Sequence, residues 1–178
     1  MSNIATAKNI TEQFERDLEP QPPFDPDSKG ALVLSMIREE VDLPASYGQR
    51  ELAEFLHQTM KPWQDTKEDI HRALDYCFSD AEGKGGFVVL ATVDDALAGA
   101  LVMLETGMGG YVPGYILLFV GVTPALRGQG LGRRLIETAL EACDGDVKLH
   151  VEYDNPAKRL YERVGFASKY AEMRRVCK

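Results

Sequence analysis

A stretch that is apolar on both faces, Tyr115 to Val122, runs through a short loop into a segment with three glycines in five residues, Gly128, Gly130 and Gly132, and then into an amphipathic helical pattern. This junction constrains the fold more than any other feature of the chain. A strand apolar on both faces belongs in the interior of a sheet covered on both sides. Each glycine inside a helix costs about 1 kcal/mol against alanine, so three at a helix start need a reason. Without a Cβ, they let a ligand approach the backbone closely. The first-turn amides of a helix have no intrahelical acceptor, and the dipole is positive at that end. Together these groups form an anion site suited to a pyrophosphate. Arg127, Arg133 and Arg134 concentrate positive charge there, in a chain whose formal net charge is −8. The GxxxxGK[ST] run of a P-loop is absent, and the loop reads GxGxG rather than the GxGxxG of a dinucleotide site. A turn serving only tight helix–strand packing would leave the arginines unexplained.

Around this junction the periodicities order the rest of the chain. ALVLSMIR (31–38) reads as a first strand, and helical patterns follow at about 47–60 and 66–79, the second opening on Thr66 as N-cap. FVVLATV (87–93) and ALAGALVMLE (96–105), separated by Asp94-Asp95, read as a hairpin. The strongest helix runs from Gly128 to about Cys143, with Leu131, Leu135, Ile136, Ala139 and Leu140 on one stripe. VKLHVEY (147–153) alternates as a strand, with Lys148, His150 and Glu152 on its polar face. A helix from about 155 to 164 stops at Gly165, and 166–176 reads as a closing strand. This order predicts a single α/β domain with a mixed sheet over residues 30–178. Residues 1–29 form an N-terminal arm, in which Ile10, Phe14 and Leu18 mark a short helix and Pro20, Pro22, Pro23 and Pro26 an extended linker.

The acidic balance argues against nucleic acid as a partner, because phosphate binding needs concentrated positive charge. It suits a cationic acceptor, although solubility alone would account for it. Three sparse cysteines without CxxC spacing predict reduced thiols rather than a disulfide framework or a zinc site. No apolar run approaches a membrane span, and the first 20 residues lack a secretory h-region. The expected location is the cytoplasm, with no membrane association and no metal.

The loop matches [Q/R]xxGx[G/A], with Arg127 first, Gly130 fourth and Gly132 last, and the run Asn155-Pro-Ala-Lys-Arg-Leu160-Tyr161-Glu-Arg-Val-Gly165-Phe166 resembles N-x-x-A-x-x-L-Y-x-x-x-G-F, with Ala157 one place early. Both motifs, at this separation, are similar to those of the GNAT N-acetyltransferases. The resemblance is strong over about 115–167 and looser before that. It implies a GNAT-like α/β (α+β) domain whose mixed, mostly antiparallel central sheet is flanked by helices. It also implies acetyl-CoA as co-substrate and direct transfer to a primary amine in a ternary complex. From the family's habit alone, it implies a homodimer. The alternative reading is a non-catalytic acyl-CoA-binding regulatory module, which would need no proton donor.

On this resemblance, the amides of Arg127, Gly128, Gln129, Gly130, Leu131 and Gly132, with Arg133 beside them, hold the pyrophosphate. The backbone of Val120 to Val122 pairs with pantetheine, and an amide there polarises the thioester carbonyl. Tyr161 matches the tyrosine that protonates the leaving thiolate; by position alone it would be part of an apolar helix face. Asn155 matches a pantetheine contact and equally suits a helix N-cap. For the base, His150 on the fifth strand is the candidate, with Glu152, Glu105 or water as alternatives. The fourth strand carries no carboxylate. His57, Trp63 and His71 lie in or near the two early helices, where packing explains them. Cys143 has no base partner, and Arg133 with Glu137 suits a solvated helix face. The acceptor, a small amine, an amino acid or a protein amine, is left open.

Overall fold

The computed structural model describes residues 30–176. The arm expected at 1–29, with its amphipathic segment, lies outside the described residues. Five strands form one sheet in sequence order: β1 (Leu32–Ile37), β2 (Gly86–Val93), β3 (Ala96–Glu105), β4 (Tyr115–Val122) and β5 (Val147–Leu149). All neighbours are antiparallel except β4 and β5, which are parallel. Helices α1 (Gln49–Thr59) and α2 (Lys67–Cys77) precede the hairpin, α3 (Leu131–Glu141) joins β4 to β5, and α4 (Lys158–Arg163) follows β5.

The alternation of a strand separates two cores. Val88, Leu90, Val102, Leu104 and Phe119 pack against Leu52, Leu56, Ile70 and Leu74 of α1 and α2. Their neighbours Phe87, Val89, Leu101, Met103 and Leu117 pack against Leu131, Leu135, Ile136 and Tyr161 of α3 and α4. Covering both faces is why β2 and β3 are apolar almost throughout, as β4 also is. The hairpin turn holds Asp94 at φ 48° and Asp95 at φ 60°. That left-handed pair matches the strand twist, and aspartate tolerates it better than most residues. Thr66 caps α2 as its sequence predicts, its hydroxyl accepting from the Asp69 amide at 3.1 Å.

Three expectations need correction. The fifth strand ends at Leu149, four residues short, so His150 and Glu152 lie beyond it, and Tyr153 is exposed. Residues 166–176 form no strand; alternation there is a local signal, and no described strand pairs with the segment. The two downstream helices begin at Leu131 and Lys158, each three residues later than their patterns suggest.

Candidate functional site

The site is built where β4 outlasts its neighbour. Tyr115, Ile116 and Leu117 pair with Val147, Lys148 and Leu149, and there the parallel ladder ends. β4 continues to Val122, still paired with β3 on its other side. The register to β3 skips Leu118, since Met103 faces Leu117 and Val102 faces Phe119. Such a bulge bends a strand and re-aims it. Along 118–122, the side of β4 turned away from β3 therefore has no strand partner among the described residues. An unpaired strand edge is a template for an extended, amide-bearing chain. Val120 and Val122 are only partly buried and lie on this stretch.

Beyond Val122, a single turn of 3-10 helix (Pro124–Leu126) carries the chain to the glycine loop. Gly128 has φ 75° and Gly130 φ 88°, and nothing lies within 4 Å of where either Cβ would stand. The left-handed backbone asks for glycine at both, and the open space leaves room for a bound group. Gly130 is the N-cap of α3, and no side chain caps this terminus. Among the described residues the first-turn N–H groups thus have no acceptor. Gly132 serves differently: a Cβ there would come within 3.3 Å of Leu160, so its smallness seats α4 against α3.

The side chains of the loop are partly committed. The Arg127 amide already donates to the Pro124 carbonyl at 3.2 Å, so the expected set of phosphate-facing amides begins at Gly128. The Arg127 guanidinium donates to the Val122 carbonyl at 3.2 Å and to the Thr59 carbonyl, at the end of α1, at 2.6 Å. Gln129 donates to the Ala125 carbonyl at 2.8 Å. Arg133 pairs with Glu137 at 2.7 Å, as i,i+4 residues on a solvated face do.

Tyr161 enters from α4 and is buried, with its ring edge-on to Phe166 at 6.0 Å. No described group hydrogen-bonds its hydroxyl. Burial, with a smaller contribution from the Glu152 charge, pushes the phenol up to about 12. It therefore stays protonated at neutral and moderately alkaline pH. Asn155 acts as a local cap, its side-chain oxygen accepting from the Ala157 amide at 2.9 Å. It also lines an open groove with Tyr153, Pro156 and Lys158. His150 is exposed, one residue past β5. Cys143 donates to the Ala139 carbonyl at 3.3 Å, and burial raises its thiol to about 11, which suits an inert residue.

One contact escaped sequence reasoning. A Cβ on Gly121 would lie 2.1 Å from the Thr59 hydroxyl, so α1 sits directly on β4 at that glycine. Nothing local to Gly121 signals it, because the two residues are far apart in the chain. No group of three or more His, Cys, Asp or Glu that could hold a metal is present among the described residues, and no described helix is long and apolar enough to cross a membrane.

A family model described as the acetyltransferase (GNAT) family matches residues 49–166, from the first residue of α1 to the residue after Gly165. The chain belongs to the GNAT acetyltransferase family. The N-alpha-acetyltransferase 40 of Saccharomyces cerevisiae is 32% identical over 157 residues, covering 78% of this chain and 53% of the relative. The chain thus spans about half the length of the curated relative it matches. Among solved structures, an aminoglycoside N-acetyltransferase, AAC(6')-Iy, in complex with CoA shares the fold at a TM-score of 0.60 and 13% identity, over 85% of this chain and 99% of that one. The ribosomal-protein-alanine N-acetyltransferase of Brucella melitensis biovar Abortus 2308 does so at 0.56 and 16%, over 83% and 100%. The expected GNAT domain, with a mixed and mostly antiparallel sheet flanked by helices, is the observed one.

Proposed function

We propose that this GNAT chain is an acetyl-CoA-dependent N-acetyltransferase that transfers acetyl directly to a primary amine, in a complex holding both substrates. The observation that carries the reading is a set of three features around the end of β4: its unpaired edge, the uncapped glycine start of α3, and Tyr161, buried in the same core as Leu131, Val120 and Val122. CoA offers a partner for each. Its pyrophosphate suits the amides from Gly128 to Gly132 with the charge of Arg133 nearby. Its pantetheine arm carries amides that can pair with the backbone of Val120 to Val122. An amide there would stabilise the oxyanion formed as the amine attacks the thioester.

The leaving group is an alkyl thiolate, and Tyr161 is a donor that cannot be lost by ionisation. Complete proton transfer from a phenol near 12 to a free thiolate near 8.5 is uphill by roughly 5 kcal/mol. Its help therefore falls while the C–S bond is breaking, as a hydrogen bond to the developing charge. The proton that sulfur finally keeps is balanced by the one the amine loses on becoming an amide. His150 is the proton acceptor we assign to the amine side, with Glu152, Glu105 or water as the alternatives.

Among acceptor classes, the relative's name, N-alpha-acetyltransferase, favours an α-amine, and a peptide N-terminus is the form of it we propose. The test is free-thiol release from acetyl-CoA over a panel of amines, amino acids and peptides with free or blocked N-termini, beside calorimetric titration of CoA. Release that depends on a free peptide N-terminus is the expected result. Release with small amines only would move the acceptor class. CoA binding without turnover on any amine would make the chain an acyl-CoA-binding module. No heat on adding CoA would overturn the reading.

A further inference from the structure

The Arg127 guanidinium bridges two elements, the end of β4 and the end of α1. One bond goes to the Val122 carbonyl at the end of β4, on the cofactor side. The other goes to the Thr59 carbonyl, 68 residues away in sequence, at the C-terminal end of α1. Arginine suits such a bridge because its donors form a rigid planar fork that never deprotonates. The chain leaving Thr59 turns at once: the Trp63 amide donates to the Met60 carbonyl at 3.0 Å, and His57 bonds the Asp65 carbonyl at 2.9 Å. The segment 60–66 is thereby tied to the last turn of α1. That turn touches β4 directly, through Thr59 against Gly121.

We infer that Arg127 is a positioning residue, a strut that couples occupation of the 128–133 anion site to the placement of segment 60–66. This inference rests on the CoA reading of that site. Arg127 stands immediately before the loop that would close on pyrophosphate, so a shift of the loop shifts its guanidinium. Its two carbonyl partners pass that shift to the ends of β4 and α1. A phosphate contact by the side chain would predict a different outcome, since loss of the arginine would then weaken CoA and leave segment 60–66 undisturbed.

Trp63 is the only tryptophan of the chain, is half-buried, and lies within this segment, so its fluorescence reports on the segment alone. CoA is titrated calorimetrically and by Trp63 emission into the wild-type protein, Arg127→Met and Arg127→Lys, with each variant's melting curve as a check on folding. The expected result is a change in Trp63 emission on saturation of the wild type. Arg127→Met abolishes that change at saturating CoA while weakening CoA by no more than about tenfold, the size of an ordinary coupling. Arg127→Lys, which can still reach one carbonyl, retains part of it. A full Trp63 response in Arg127→Met, or none in a wild type that binds CoA, overturns the strut. A loss in Arg127→Met far beyond tenfold would make the side chain a direct phosphate ligand instead. Absence of binding heat in the wild type overturns the CoA reading, and the strut falls with it.

Discussion

Replacing Tyr161 by phenylalanine separates catalysis from folding more cleanly than any other change in the site. The hydroxyl has no hydrogen-bond partner among the described residues, and the ring is held by burial and by its edge-on contact with Phe166. Removing it leaves no orphaned protein group, so the stability change stays within about 1 kcal/mol. On the proposed reaction path the same hydroxyl would face a developing thiolate in a water-poor setting. A hydrogen bond to a charged acceptor contributes about 1.5–3 kcal/mol, more where solvent is excluded. The expected loss in kcat is therefore roughly 10²-fold or more, about 2.7 kcal/mol. The assay is single-turnover thiol release at saturating acetyl-CoA and acceptor, so that slow product release does not hide the chemical step. Because burial holds the phenol near 12, the wild type shows no loss of rate from Tyr161 ionisation at moderately alkaline pH. An unchanged single-turnover rate in Tyr161→Phe would remove the residue from the mechanism. A large drop in melting temperature would show that the hydroxyl has a structural role not visible in its contacts.

Gly121→Ala places a methyl 2.1 Å from the Thr59 hydroxyl, which itself donates to the Phe55 carbonyl at 2.7 Å. Overpacking of this kind costs about 1–3 kcal/mol, or roughly 2–12 °C in a domain of this size. Adding Thr59→Ala should recover most of that loss in thermal melts, and purely additive effects would refute the contact. Burial pushes the Cys77 thiol up to about 12, so between about pH 9 and 12 the unfolded chain releases a proton that the folded one keeps. Stability present below pH 9 is lost as pH rises, by up to about 1.4 kcal/mol per pH unit. Denaturant melts at about pH 8 and 10 should show a shallower decline in Cys77→Ala than in the wild type, and equal slopes would contradict the assignment. If His150 takes the amine proton, His150→Ala lowers kcat/KM; an unaltered kcat/KM returns that role to Glu152, Glu105 or water.

The residues that announced this fold did so through local physics. The heptad-like stripe of α3, the apolar runs of β2 to β4 and the Asp94-Asp95 turn all rest on periods and dihedrals set within a few residues, so they read directly from the chain. The glycine loop was readable for the same reason, because left-handed backbone at Gly128 and Gly130 is a local demand. The expected strand at 166–176 failed because alternation describes a side chain's direction and not the presence of a neighbour to pair with. β5 stops at Leu149 for a related reason: β4 bends at Leu118, and the ladder has nothing further to follow. The bridge from Arg127 to Thr59 and the seat of α1 on Gly121 join residues about sixty apart. No pattern in the chain encodes such contacts, since they exist only once two helices and a sheet have packed at a given register. The motif named Arg127, but its surroundings turned its amide toward Pro124 and its guanidinium toward α1. Chemistry-bearing residues were thus visible as residue types at local spacings, while their partners, and the gap between β4 and β5, came from long-range packing.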